Sequence, residues 1–203
     1  MTKSPVLPSA QRAAVTAAQR AAVTELLRLA PLLDDLGRRF GAAGHELHLV
    51  GGSVRDALLG RGGDDVDLAT DARPEQILAL VEGWAEATWT TGIAFGTVGA
   101  QRGGQRLEIT TYRADRYDRV GRKPEVVYGE SLVDDLSRRD FTINAMAVSV
   151  QDQTFTDPFG GLADLLERRL TTPLAPEESF ADDPLRMLRA VRFVAQLAAT
   201  PTP

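Results

Sequence analysis

Short apolar runs separated by glycine-containing breaks fill the chain from about residue 47, and they predict alternating strands and helices. Leu47–Val50 predicts the first strand, and two glycines open a predicted helix over Gly51–Leu59. A proline suits the first turn of a second helix, which we expect over about Pro74–Ala87. Further strands are predicted over 65–69, 88–91, 95–100, 106–112 and 155–156.

The segments that flank and interrupt this region have different patterns. The first residues, to about Gly44, are rich in Ala and Arg and predict a helical lead-in. They contain a direct repeat, AlaGlnArgAlaAlaValThr, at 10–16 and 18–24, which we interpret as a duplicated amphipathic segment and not as a solenoid. The charged stretch 114–130 contains Gly121 and Pro124 and predicts a loop.

The last predicted element is a long amphipathic helix over about Glu177–Ala198. Apolar residues at helical spacing predict that one face of this helix is buried. Such a face normally packs on something that follows, so we expect the chain to be a truncated piece of a longer protein. The apolar stripe consists of Leu185, Leu188, Val191, Val194 and Leu197.

Composition narrows the class of protein. The 203 residues are 43% hydrophobic and 25% charged with a net charge of −5, which is typical of a soluble globular protein with one domain and perhaps part of a second. No apolar run approaches the ~18 residues of a membrane span. The absence of cysteine excludes disulfides, thiolate metal sites and a cysteine nucleophile, and it fits a reducing compartment.

Charge is distributed unevenly along the chain. The acidic overall balance argues against a protein that coats nucleic acid through bulk charge. The window 102–123, however, holds seven basic and three acidic residues, a local balance of +4. This window is the best candidate for a nucleic-acid-facing surface, and a solvated loop is the alternative.

Three carboxylates provide the first candidate chemistry. Asp65 and Asp67 share one face of a predicted strand because side chains alternate with period two. Such a pair suits Mg²⁺, which binds one or two carboxylates together with substrate phosphates, and a solvated strand edge is the alternative. Glu108 lies in a β-branched segment where glutamate is unfavourable. If the two strands are neighbours, Glu108 completes a three-carboxylate site; otherwise it is an outward-facing charge.

A glycine-containing segment could bind phosphate. Gly51-Gly52-Ser53, followed by Arg55, lies between a predicted strand and a predicted helix. Backbone amides, a hydroxyl and a guanidinium at a helix start can all hold phosphate oxygens. A plain tight turn into a helix is the alternative.

Two further segments could contact the rest of a nucleotide. Arg138-Arg139-Asp140 offers phosphate and sugar partners, or else a capped helix start with solvated arginines. In the last predicted helix, Asp183, Arg186 and Arg189 recur every three residues, so they can share one face. That face could recognise the edge of a base, or it could carry a ladder of ion pairs.

Taken in order, these segments resemble the class II tRNA nucleotidyltransferases and their bacterial poly(A) polymerase relatives. The resemblance covers about residues 46–198, and Asp182 stands where glutamate is commoner in the family. It depends on LeuValGlyGlySerValArgAspAlaLeuLeuGly with AspValAsp, on ArgArgAspPheThrIleAsnAlaMet, on AspProPheGlyGly, and on AspAspProLeuArgMetLeuArgAlaValArgPhe.

The resemblance implies an α+β fold: a polymerase-β-like nucleotidyltransferase head, with a mixed sheet flanked by helices, followed by the first neck helix. It divides the chain into a lead-in at 1–44, a head at 45–172 and the start of a neck at 173–203. It also implies a cytoplasmic, Mg²⁺-dependent enzyme that adds CCA to tRNA 3′ ends from CTP and ATP, with no membrane partner.

The same resemblance implies a role for each candidate residue. Asp65 and Asp67 would bind Mg²⁺, and Glu108 would be the third catalytic carboxylate. The segment 114–130 matches the place of the family's flexible loop. The triphosphate would be held by Gly51, Gly52, Ser53 and Arg55, and the ribose region by Arg139 and Asp140. The base would be contacted by Asp183 and Arg186, with support from Arg189 and Arg192.

Other functions remain open at this point. A poly(A)-adding or A-only-adding enzyme would share the same head. A glycosyltransferase that uses nucleotide-sugars also needs an Asp-X-Asp pair, but the ArgArgAsp and AspAspProLeuArg segments disfavour it. The third alternative is a head that binds nucleotide without processing tRNA.

Overall fold

The computed structural model describes residues 31–62, 65–114, 127–129 and 131–202. The sequence repeat at 10–24 and most of the predicted loop at 114–130 therefore lie outside the described residues. The described strands are β1 (His48–Val50), β2 (Asp65–Thr70), β3 (Ala87–Trp89), β4 (Thr97–Arg102), β5 (Gln105–Thr111), β6 (Arg113–Ala114), β7 (Val127–Tyr128), β8 (Ala147–Ser149), β9 (Phe155–Thr156), β10 (Arg169–Leu170) and β11 (Thr200–Pro201).

Helices accompany these strands in the order that the sequence pattern indicates, with additions at 132–137 and after residue 160. Short 3₁₀ turns occur at Ile93–Phe95 and Thr142–Asn144. The α-helices are α1 (31–42), α2 (Gly51–Leu58), α3 (Pro74–Val81), α4 (Leu132–Ser137), α5 (Gly161–Glu167), α6 (Pro176–Asp182) and α7 (Leu185–Leu197).

A mixed seven-stranded sheet in the order β3-β4-β5-β2-β1-β8-β9 forms the centre of the fold. β2 and β5 pair in parallel, and the other neighbouring strands pair antiparallel. The register places one row of residues side by side across five strands, so their side chains share one face. That row is Trp89, Gly99, Glu108, Asp67 and Val50.

The opposite face of the sheet carries the main hydrophobic core. Val66 and Leu68 of β2 alternate with the carboxylates and are almost fully buried. They belong to one cluster with residues of α1, α2 and α3, which cover this face. A second, smaller cluster lies on the carboxylate face and consists of Val50, Ala69, Tyr112, Leu136, Ala145 and Ala147. The predicted α+β fold, a mixed sheet flanked by helices, is confirmed.

Buried polar groups tie the two histidines into the sheet. His48 Nδ1 lies 2.7 Å from the Tyr112 hydroxyl, which donates to Glu46 Oε2 at 3.1 Å. Burial lowers the pKa of His48 and raises the pKa of Tyr112. His45 Nδ1 lies 3.2 Å from Asp71 Oδ2. Both histidines thus have structural partners within the fold.

The final long helix predicted over 177–198 is wrong in one respect, because it is two helices. α6 ends at Asp182 and α7 begins at Leu185, and between them Asp183 is extended (φ −143°, ψ 97°). The cause is Pro184, since the residue before a proline is disfavoured in the helical region. Asp183 therefore lies before α7 and does not share its helical face.

Two smaller expectations also differ from the structure. α3 ends at Val81 and not near Ala87. The sequence predicts Trp84, Trp89 and Phe95 as core residues, but only Trp84 is buried, whereas Trp89 is half-buried and Phe95 is 57% exposed.

α7 lies against the head, and Phe193 is its one fully buried residue, with Ala190 and Leu197 partly buried against the same core. The apolar stripe predicted on this helix is mostly exposed, with Leu188 and Val191 both more than two-thirds accessible. Within the part of the chain that the structure describes, no helix is long and apolar enough to cross a membrane.

Candidate active site

The three predicted carboxylates lie on one face of the sheet. Asp67 lies directly beside Glu108 in the parallel pair of β2 and β5, and Asp65 lies two residues earlier on the same strand. Burial raises the pKa of Asp67, and the charges of Glu108 and Asp65 raise it further, against the opposing effect of Arg139 and Arg55. The site therefore concentrates negative charge that a bound cation would relieve.

The donor set fits a hard divalent cation. Carboxylate oxygens at two or three neighbouring positions suit Mg²⁺, which completes its coordination with water and substrate phosphates. No group of three or more His, Cys, Asp or Glu side chains among the described residues is close enough to form a complete metal cage. Within the described part of the chain, these carboxylates could therefore hold such a cation only together with water or substrate oxygens.

Gly51 brings the phosphate-binding candidates up to these carboxylates. It opens α2 with a left-handed φ of +66°, and a Cβ there would lie 2.7 Å from Arg139 Nη1 and 3.7 Å from Asp67 Oδ2. The backbone conformation therefore requires a glycine, and a Cβ here would also push the end of the Arg139 side chain away. Ser53 fixes the helix on β2, because its Oγ accepts a hydrogen bond from the Asp67 N–H at 2.8 Å.

The arginines of this site are held by carboxylates and an amide. Arg55 contacts both carboxylate oxygens of Asp56 at 2.9 and 2.8 Å and donates to Asn144 Oδ1 at 2.7 Å. Arg139 donates to buried Asp135 at 3.1 Å. These bonds fix the guanidinium groups beside Gly51 before any ligand arrives.

An ion pair between Arg189 and Asp140 joins α7 to the head. Arg189 Nε donates to Asp140 Oδ2 at 2.7 Å, and Asn144 Nδ2 donates to Asp140 Oδ1 at 2.9 Å. Asn144 also accepts from Arg55, so the hydrogen bonds run without a break from α7 to α2. Phe193 lies at the centre of this contact, with the guanidinium carbon of Arg55 5.2 Å from its ring centroid.

The residues predicted to recognise the base are neighbours, since the Arg186 N–H donates to the Asp183 carbonyl at 3.0 Å, but their side chains have different partners. Arg186 donates to the Ser179 hydroxyl at 2.7 Å and to the Arg138 carbonyl at 2.6 Å. Asp183 accepts from the Leu185 N–H at 2.9 Å. Arg192 lies 5.2 Å from the Phe193 ring centroid. The structure thus brings Arg186, Arg189 and Arg192 onto α7, with Asp183 at the turn before it.

A family comparison matches the region that carries this geometry. Residues 47–171 match the family model described as the poly A polymerase head domain. The chain belongs to the poly A polymerase head domain family. The matched region contains β1 to β10, and with them Asp65, Asp67, Glu108 and the Arg139–Asn144 segment.

Members of the same group are similar in sequence. The CCA-adding enzyme of Levilactobacillus brevis is 46% identical over 162 residues, which are 79% of this chain and 40% of that protein. The CCA-adding enzyme of Anoxybacillus flavithermus is 44% identical over 155 residues, 76% of this chain and 38% of that protein. The chain spans about 40% of the length of these curated relatives.

Solved structures of CCA-adding enzymes share the fold of this head domain. The Bacillus stearothermophilus enzyme in complex with CTP is 39% identical, with a TM-score of 0.72 over 83% of this chain and 39% of its own. The Thermotoga maritima enzyme complexed with tRNA is 27% identical, with a TM-score of 0.72 over 91% of this chain and 42% of its own.

Sequence reasoning missed four residues that position the arginines of this head domain. Asn144 and Phe193 lie within the quoted motifs, but their roles depend on contacts between segments far apart in the chain. The acidic partners of Arg55 and Arg139 are Asp56 and Asp135. Asp56 follows Arg55 directly, a spacing that does not indicate an ion pair. Asp135 precedes Arg139 by four residues, a spacing that favours an ion pair near a helix, but no helix was predicted there.

Substitution of Gly51 tests the predicted phosphate-binding segment directly. We expect Gly51→Ala to weaken CTP binding about tenfold or more, since the new Cβ enters a left-handed conformation and displaces Arg139. Gly44→Ala is the matched control: φ is +79° there, but nothing lies within 4 Å. Titration calorimetry with CTP measures both, and equal losses in the two variants would contradict the role of Gly51.

Proposed function

We propose that the chain is the catalytic head of a template-independent RNA nucleotidyltransferase that adds C, C and A to tRNA 3′ ends from CTP and ATP, releasing pyrophosphate. The observation that carries this proposal is the juxtaposition of Asp67 and Glu108 beside Gly51 and the two arginines. The relatives named CCA-adding enzymes, one solved with CTP and one with tRNA, support the choice of substrates.

The chemistry is the attack of an RNA 3′-hydroxyl on an α-phosphate with departure of pyrophosphate. Asp65 and Asp67 would hold Mg²⁺, with Glu108 as the neighbouring carboxylate. When bound, Mg²⁺ lowers the negative charge on the phosphates and favours the ionised hydroxyl. No covalent enzyme intermediate is needed, so the protein's contribution is positioning and charge complementarity.

The remaining candidates would bind the incoming nucleotide. Gly51 and Gly52 present backbone next to Asp67, and Ser53 holds α2 on the carboxylate strand. Arg55 and Arg139 lie within reach of the same point and would contact the triphosphate and the ribose region. The other proposed contacts are Asp140 at the ribose, Asp183 and Arg186 at the base, and Arg189 and Arg192 in support.

We also propose the division of the chain into a lead-in at 1–44, a head at 45–172 and the start of a neck at 173–203. The hydrogen bonds from Arg189 and Arg186 to the segment 138–140 support a neck that contacts the ribose-binding motif. The description of the matched family as poly A polymerase favours a second candidate, an enzyme that adds only A.

Single-turnover extension of a tRNA that ends before CCA tests the function. The reaction contains Mg²⁺, CTP and ATP, and the product is read by length and sequence. Addition of C, C and A is the expected result, and products extended only by A would favour the second candidate. If nothing is added, but CTP binds in a Mg²⁺-dependent way that Asp65→Ala removes, the chain is a nucleotide-binding head without tRNA processing.

A further inference from the structure

Trp89 lies on the carboxylate face of the sheet, at its edge. It pairs with Gly99 of β4, which in turn pairs with Glu108 of β5. Its indole covers Gly99 so closely that a Cβ on this glycine would overlap the ring. Gly99 therefore allows a large aromatic surface to lie flat on the sheet one strand away from a predicted catalytic carboxylate.

The two tryptophans of the chain have different environments. Trp84 is 2% exposed, and its Nε1 donates to Asp35 at 2.8 Å, while the Arg102 guanidinium lies over its ring. Trp89 is only half-buried, and no hydrogen-bond acceptor for its N–H is found among the described residues. Trp84 is thus a satisfied core residue, whereas Trp89 is partly accessible and its N–H has no acceptor within the described part of the chain.

An exposed cation shares this face. Arg106 precedes Glu108 by two residues on β5 and pairs with Asp65, so its side chain points to the same side of the sheet. In the part of the chain that is described, it forms no ion pair or hydrogen bond with another side chain. Through Gln101 of β4, Arg106 is level with Ala87, so it lies two strands from Trp89 and two residues along the sheet, on the same face. Proteins bind single-stranded nucleic acid with aromatic rings that stack on bases and cations that follow the backbone.

The position of this pair relative to the carboxylates identifies its ligand. Gly51, Arg55 and Arg139 lie on the β1 side of Asp67, whereas Trp89 lies on the β4 side of Glu108. In nucleotidyl transfer the attacking and leaving oxygens are in line on opposite sides of the phosphorus. With the triphosphate on the β1 side, an acceptor strand that approaches from the β4 side would satisfy this in-line arrangement.

We propose that Trp89 and Arg106 bind the 3′-terminal nucleotides of a single-stranded RNA acceptor, with the terminal base stacked on the indole and a backbone phosphate paired with the guanidinium. The inference rests on the proposed function and adds a site for the second substrate. It assigns Trp89 a substrate-binding role.

Steady-state extension separates the two substrates. We expect Trp89→Ala to raise KM for the RNA about tenfold while KM for CTP stays unchanged, and Trp89→Phe to retain most of the affinity because it preserves a stacking surface. Thr88→Ala is the matched control, since Thr88 lies on the same strand and faces the other side of the sheet. Equal KM values for RNA in Trp89→Ala and the wild type would overturn the inference and leave the proposed function intact.

A binding measurement tests the site even if no extension occurs. A short single-stranded RNA ending in a 3′-hydroxyl should quench tryptophan emission of the wild type, and Trp89→Phe should remove this change. Gly99→Ala should reduce it as well, because the added Cβ displaces the indole, and circular dichroism confirms that the variant is folded. Quenching that persists in Trp89→Phe, or no quenching in the wild type, would overturn the proposed RNA site whatever the outcome of the extension assay.

Discussion

Asp67→Asn is expected to lower the rate of nucleotidyl transfer on the order of 10³-fold, because the loss of one of the carboxylates proposed to bind Mg²⁺ would remove several kcal/mol of transition-state stabilisation. The same variant should be no less stable than the wild type at neutral pH without Mg²⁺. The wild type places an ionised carboxylate in a half-buried position beside Glu108 and Asp65, and the amide removes that cost.

The electrostatic cost of an ionised Asp67 should appear in the pH dependence of the free energy of unfolding. Burial and neighbouring acids raise the pKa of Asp67 above 3.8 in the folded state, so the folded chain holds its proton to higher pH than the unfolded chain does. The contribution of Asp67 to the free energy of unfolding therefore decreases as pH rises from about 3.8 through the raised pKa, and Asp67→Asn should lack this decrease.

Urea unfolding at several pH values, with Mg²⁺ removed by EDTA, measures the difference between the wild type and Asp67→Asn. Asp34→Asn serves as the control, because Asp34 is exposed on α1, which packs on the opposite face of the sheet. Full transfer activity in Asp67→Asn would contradict the assignment of the site. A loss of stability at neutral pH would contradict the electrostatic argument.

Gly161→Ala is expected to cost about 3 kcal/mol of stability, the upper part of the range for overpacking. A Cβ at this position would overlap the main-chain carbonyl of Thr142, and a backbone atom cannot rotate away as a side chain can. Asp157 fixes the start of α5 against this segment, since its carboxylate accepts from the N–H groups of Gly161 and Leu162 at 2.7 and 3.0 Å.

The neighbouring glycine is a matched control. Gly160 has a left-handed φ of +74° but nothing within 4 Å of a Cβ, so Gly160→Ala should cost only about 1 kcal/mol. Equilibrium unfolding in urea compares the two variants under one set of conditions. Similar losses in both would show that backbone conformation, and not the contact with Thr142, determines the need for glycine in this turn.

The carboxylate site was largely accessible from the sequence. Period-two alternation placed Asp65 and Asp67 on one face of a strand, and the structure agrees. Whether Glu108 joins them depends on the pairing of two strands about 40 residues apart, which no local pattern specifies. The family resemblance supplied that link, and the observed register of β2 and β5 now shows the adjacency directly.

The site around α7 was much less predictable. The helix break at Pro184 could have been anticipated from proline chemistry, and the predicted apolar stripe begins only after it, at Leu185. The importance of Phe193 and Asn144 arises from packing between α7, α2 and the segment after α4. Such contacts between distant segments carry no local signature, so only the three-dimensional structure reveals them.

The parallel register of β2 and β5 limits how this gene can vary in length. Deleting or inserting a single codon within either strand would move the later side chains of that strand to the other face. In β5 this change would exchange Glu108 for apolar Leu107 or Ile109. A substitution on one of these strands changes a single side chain. An in-frame insertion or deletion would instead move acidic side chains off their face and apolar side chains out of the core at the same time. β4 and β5 are joined by the turn at Gly103-Gly104, where nothing lies within 4 Å of a Cβ added to either glycine. Length changes should be tolerated better in this turn than within the strands.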